Sequence, residues 1–179
     1  MKAKLLVFPA VLLMASAVWG QGNQMQAPPQ AEDRIQREVR HQLLLLPYLT
    51  VFDNLAYKVQ GYTVTLIGQV TRPTLKSDAE NVVKHIEGVE KVDNQIEVLP
   101  TSPMDDGLRR NLYVAIYGYA PLQRYAMPVV KPIRIIVKNG KVDLEGVVDS
   151  ETDKNMAEIR AKSVSGIFSV TNNLQVVKE

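Results

Sequence analysis

The sequence predicts an α+β chain of two tandem α-β-β-α-β modules, each a three-stranded mixed sheet with two helices on one face. Three observations lead there. Residues 59–99 align with 137–177 at a constant offset of 78 and without a gap. Apolar residues recur at helical spacing at the start of each copy. Alternating apolar and polar residues around a turn signal then follow in both.

The repeat is the strongest of the three. VQGYTVTLIGQV lies on VKNGKVDLEGVV, and EGVEKVDNQIEVL on SGIFSVTNNLQVV. About a third of the 41 aligned positions are identical, among them Val64 with Val142, Gly68 with Gly146, Gly88 with Gly166 and Asn94 with Asn172. Gapless agreement of that length is a duplication signal. Upstream the copies align at an offset of 73, Ile35 meeting Leu108 and Val39 meeting Leu112. The second copy therefore carries five extra residues within 120–132.

Each element follows from the pattern. Ile35, Val39, Leu43 and Leu46 form one helical stripe, repeated by Leu108, Leu112, Ile116 and Tyr119. Pro47 and Pro121 are expected to end these helices, because proline cannot continue the hydrogen-bond ladder. Leu55, Tyr57 and Val59 then alternate with Ala56 and Lys58, and Gly61-Tyr62 turns the chain into Val64, Leu66, Gly68 and Val70. In the second copy the turn is Asn139-Gly140, where both residues tolerate positive φ. Second helices are expected near Pro73 and Ser150, with Ser150 and Asp153 resembling a capping box. Their buried faces would be Ala79, Val82, Val83 and Ile86, or Ala157, Ala161 and Val164. Gly88 and Gly166 fall where a left-handed C-cap glycine belongs, and Gly68 and Gly146 where a strand admits a bulge or close backbone approach. A last strand, 92–98 or 170–176, should run parallel to the second hairpin strand.

The ends and totals bound the rest. Lys2 and Lys4 precede an apolar run from Leu5 to about Ala17, closed by small residues, which reads as a signal peptide over 1–20. That run is shorter than the roughly 20 apolar residues a bilayer span requires. Residues 21–31 form a polar, proline-containing leader expected to be disordered. The modules are expected at 32–99 and 104–177, joined by a linker at 100–103. The chain has no cysteine, which excludes disulfides, thiolate chemistry and a cysteine-linked lipid anchor. Losing Lys2 and Lys4 with the signal brings the 21 basic and 19 acidic residues into balance, so no nucleic-acid partner is implied.

The ordered set V-x-L-x-G-x-V, helix, then G-V-x-x-V-x-N-x-[IL]-x-V occurs twice: VTLIGQV with GVEKVDNQIEV, and VDLEGVV with GIFSVTNNLQV. It resembles the BON domain, the bacterial OsmY and nodulation module, over nearly all of 32–99 and 104–177. Ile167 departs from the valine usual after the glycine. The resemblance implies an exported periplasmic or envelope-associated protein that binds phospholipid or helps maintain the envelope under stress. It also implies no catalytic activity and no cofactor.

The residues themselves nominate no catalytic set. His41 and His85 are the two histidines, neither is repeated, and no metal-ligand spacing surrounds them. One stretch stands out: from Gly107 to Val142 there is no acidic residue. Arg124, Lys131 and Arg134 lie there with Tyr117, Tyr119 and Tyr125, beside the apolar Leu122, Met127, Val129 and Val130. Basic residues gain about 1 kcal/mol each near an anionic lipid surface, and tyrosine favours the interface. Arg124, Tyr125, Lys131, Arg134, Tyr117 and Tyr119 are therefore the expected lipid contacts, with an anionic phospholipid surface as partner. The alternative is a chaperone-like or protein-binding role in the envelope, through exposed strand edges and the apolar segment from Leu43 to Leu49. Oligomeric state stays open.

Overall fold

The computed structural model describes residues 28–177. The expected signal peptide and most of the expected leader lie outside the described residues. The first module runs α1 (Pro29–Leu44), β1 (Asn54–Gln60), β2 (Thr63–Val70), α2 (Pro73–Lys84), β3 (Lys91–Asn94) and β4 (Glu97–Val98). The second repeats it as α3 (Pro103–Tyr117), β5 (Ile133–Lys138), β6 (Lys141–Val148), α4 (Glu151–Lys162), β7 (Ser169–Asn172) and β8 (Gln175–Val176), with a 3-10 segment at Ala120–Ala126 after α3.

In each module the hairpin is antiparallel and the last strand runs parallel to the hairpin's second strand. That last strand is split in two, although its register is unbroken: Leu66 faces Asn94 and Gln69 faces Glu97. The break lies opposite Gly68 (φ +123°), and in the second module opposite Gly146 (φ +115°). At these points the first hairpin strand crosses so close that an added Cβ would lie 2.0 Å from the Asn54 carbonyl oxygen, or 1.9 Å from that of Pro132. A side chain repairs the gap. Asn94 Oδ1 accepts from the Ile96 amide at 3.2 Å, while Nδ2 donates to the Lys76 carbonyl at 2.9 Å and to Glu80 at 3.1 Å. Asn172 makes the same three bonds, to Leu174, Lys154 and Glu158. The repeated asparagine thus ties the second helix of each module to its last strand.

Several boundaries differ from expectation. Helix α1 begins at Pro29, inside the segment expected to be disordered, and ends at Leu44, before Pro47. Pro47 bars Leu46 from helical angles, and Tyr48 takes a positive φ of 66°. Helix α3 ends at Tyr117 on Gly118, so Pro121 opens the 3-10 segment instead of stopping a helix. Gly88 and Gly166 have positive φ but lie three residues past the caps His85 and Ser163, at the corner of the next turn. Gly88 lies there beside Ile35 and Gly166 beside Leu108, so the same corner meets the first helix in both modules.

Each module has its own core. Ile35, Val39, Leu66, Leu75 and Val83 are fully buried in the first, and Leu112, Ile116, Leu122, Ile133 and Leu144 in the second. At about 1.5–3 kcal/mol per buried side chain of this size, two such cores hold without cross-links.

The modules are joined by more than the linker. The Val51 carbonyl accepts from the Ile135 amide at 2.9 Å, adding one hydrogen bond at the free edge of β5. Arg134 Nη1 donates to the Thr50 carbonyl at 2.8 Å, Phe52 meets Tyr113 edge-on with centroids 6.5 Å apart, and Lys138 pairs with Glu97. Asp53, wholly buried, holds this segment in shape. Its carboxylate accepts from the amide and hydroxyl of Thr50 (2.8 and 2.5 Å) and from the amide and hydroxyl of Thr71 (2.7 and 2.8 Å).

Candidate membrane interface

The six residues nominated from the acid-free stretch do not form one surface. Tyr117 is buried in the second core, and its hydroxyl donates to the Ile133 carbonyl at 2.5 Å. Burial pushes this phenol well above the ordinary tyrosine range. Tyr125 is buried as well, donating to Asp153 at 2.9 Å and accepting from the Asp149 amide at 2.8 Å. Arg124 lies over the Tyr125 ring and donates to Asp153 at 2.5 Å and Asp149 at 3.2 Å. Asp153, the expected capping-box partner, is thereby drawn to Arg124, Tyr125 and the Ser150 hydroxyl; the Ser150 side chain still caps the Asp153 amide at 3.1 Å. Arg134 is half-buried at the module junction, where burial lowers its pKa. Tyr119 sits beneath the Arg160 guanidinium, 5.1 Å from its centroid. These five side chains stabilise the fold and the junction. Of the three basic side chains, Lys131 alone makes neither a hydrogen bond nor an ion pair among the described residues.

A different set of side chains faces outward. After the 3-10 segment the chain passes through Met127, Pro128, Val129 and Val130 to Lys131. Met127 is 84% exposed and Val129 99%. Pro128 and Pro132 explain the lack of regular structure, since neither can donate to a ladder. Across a cleft of about 340 Å³, shared with Val129, Val130 and Lys131, stands Leu44 at the end of α1. Farther along the chain Leu45 (64% exposed) and Tyr48 (68%) are also open, with the Arg72 guanidinium 5.3 Å from the Tyr48 ring centroid. Each module thus has an exposed apolar tip with a cation beside it. In the sequence the first tip is marked by the apolar segment from Leu43 to Leu49, and the second by the extra residues within 120–132. Positive φ at Tyr48 and its exposure carried no sequence signal.

Among the described residues, no group of three or more His, Asp or Glu side chains is placed to hold a metal ion. No helix of the described residues is long and apolar enough to cross a membrane.

The BON domain family model matches residues 31–100 and 126–178. The chain belongs to the BON domain family. Osmotically-inducible protein Y of Escherichia coli (strain K12) is 28% identical over 123 residues, spanning 68% of this chain and 61% of that protein. Two solved structures of CdsD, a structural protein of the type III secretion system of Chlamydia trachomatis, also align. Each is 13% identical, with TM-scores of 0.29 and 0.27, covering 80% and 79% of this chain and 92% and 96% of theirs. The family match starts its second segment at Ala126, so α3 and all but the last residue of the 3-10 segment fall outside it.

Proposed function

We propose that this BON protein is an exported envelope protein that docks on anionic phospholipid surfaces through the two apolar tips beside the module cleft. The observation that carries the reading is the exposure of Met127 and Val129 next to the unpaired Lys131, with Val129 and Lys131 sharing a cleft with Leu44. Apolar side chains of this size gain about 1.5–3 kcal/mol each on leaving water, and Lys131 with Arg72 adds about 1 kcal/mol apiece near anionic lipid. Together these suffice for reversible attachment, well short of a membrane span. Membership of the family and the similarity to an osmotically inducible protein support a role in the envelope or in stress.

The test is co-sedimentation of residues 21–179 with anionic or zwitterionic vesicles at low and high salt. Binding to anionic vesicles that weakens with salt is expected. Replacing Met127 and Val129 by Asp should weaken it at least tenfold while the circular dichroism stays native. Unchanged binding by that folded variant refutes the assignment of the tips.

A further inference from the structure

The edge of β5 is not left open. Its Ile135 amide donates to Val51, its Ile133 carbonyl accepts from Tyr117, and its Val137 carbonyl accepts from Arg109 Nη2 at 2.7 Å. The peptide occupying this edge is the stretch Thr50-Val51-Phe52-Asp53. The duplication supplies the matching edge in the first module. At the offset of 78, Ile135 corresponds to Tyr57; at the upstream offset of 73, Tyr117 corresponds to Leu44 and Tyr113 to Arg40. There the equivalent groove, about 400 Å³ between the end of α1 and β1, is empty. Asn54, Leu55, Ala56 and Tyr57 line it in succession, with Arg40 and Leu44 opposite. The Tyr57 amide makes no hydrogen bond outside the hairpin among the described residues.

We infer that the β1 edge of the first module is a peptide-binding site that takes one extended segment of a partner protein, carrying a β-branched and aromatic pair next to an acidic residue. The chemistry is read from the molecule's own docked segment. Its central carbonyl accepts from the strand amide, its apolar pair covers the helix end, and main-chain addition of this kind gives affinity while side-chain pockets give specificity. The acidic preference comes from the groove, where Arg40 and Arg134 are the charged lining residues. The chain's own counterpart of residues 49–53 is Met127-Pro128-Val129-Val130-Lys131. It stands nearby yet is undocked, with Val129 almost fully exposed. Pro128 replaces Thr50 and Lys131 replaces Asp53, so this loop would bring a positive charge to two arginines. The same mismatch disfavours the loop of a second copy.

The probe is the acetylated, amidated pentapeptide Leu-Thr-Val-Phe-Asp, titrated without lipid into the full chain labelled with ¹⁵N. Saturable amide shifts confined to Asn54–Tyr57 and Arg40–Leu44 are expected. A peptide ending in Lys instead of Asp should bind roughly tenfold more weakly, and Arg40→Glu should narrow or reverse that order. No shift at about 2 mM peptide, a millimolar affinity being the least a working site could have, overturns the proposal. So do shifts confined to Ile133–Val137, which would mean exchange with the internal segment. Self-association without peptide, or concerted shifts of Met127–Lys131 in the free chain, would assign the groove to the chain's own loop and overturn it equally. The titration is read without lipid, so failure of the peptide to bind leaves vesicle binding untouched.

Discussion

Replacing Asp53 by Ala should unfold the junction and cost the first module a large part of its stability. The carboxylate is wholly buried and accepts four hydrogen bonds, two from amides and two from hydroxyls, at 2.5–2.8 Å. Bonds to a charged acceptor contribute about 1.5–3 kcal/mol each, though a shared acceptor does not deliver four times that. The threonine hydroxyls can rotate to water, whereas the Thr50 and Thr71 amides are left without a partner at roughly 1–3 kcal/mol each. A loss of about 3–5 kcal/mol follows, at the top of the range for single substitutions. Because Asp53 also shapes the segment that carries Val51 and Phe52, the contact with Ile135 and Tyr113 should loosen in the same variant. Urea unfolding followed by circular dichroism measures the first effect, and amide exchange at Ile135 the second. A variant within about 1 kcal/mol of the parent, with Ile135 still protected, would refute the reasoning.

Two glycines in different settings should respond in opposite directions to alanine. Gly146→Ala places a Cβ 1.9 Å from the Pro132 oxygen at a φ of +115°, and a loss of about 3 kcal/mol or more is expected in urea unfolding. Gly107→Ala, inside α3 with nothing within 4 Å of the new methyl, should gain about 0.5–1 kcal/mol in the same assay. A third expectation concerns acid. The bond from Asn94, then Lys84, holds Glu80 below the usual carboxylate range, and Lys162, then Asn172, does the same for Glu158. Since both folded-state values are depressed, their stabilisation is present above the ordinary glutamate pKa and is lost as pH falls below it through the depressed values. Melting temperature against pH for the Glu80→Gln, Glu158→Gln double variant should therefore fall less steeply on the acid side than that of the parent.

The repeat made the architecture legible because duplication constrains both copies to the same core positions. Val64 and Val142, or Leu66 and Leu144, are apolar for one shared reason, and both copies fold around them. Asn94 and Asn172 were visible as a matched pair, but their task was not, because it depends on helix residues 14 and 18 positions away. Charge patterning misled for the same physical reason. A stretch without acidic residues looks like an unpaired basic surface only if partners are sought nearby in sequence. Arg124 finds Asp153 at a separation of 29, Arg109 finds the Val137 carbonyl at 28, and Arg134 finds the Thr50 carbonyl at 84.

The stretch that holds the second copy's extra residues shows where the sequence could have divided fold from function. In its first half, Leu122 and Tyr125 sit on a 3-10 segment that turns both side chains into the core. In its second half, Pro128 and Pro132 bracket Val129 and Val130 and deny the backbone both a helix and a strand ladder. Apolar residues on such a backbone have no regular element to carry them inward, and Met127 and Val129 stay in solvent. In the first copy the corresponding Val51 and Phe52 are neighbours of Asp53, whose four bonds fix the segment against β5. Position 131 holds Lys where that Asp would stand, so the second loop lacks the same internal anchor. Pro128 in place of Thr50 and Lys131 in place of Asp53 thus separate an apolar segment that closes the module junction from one left in solvent.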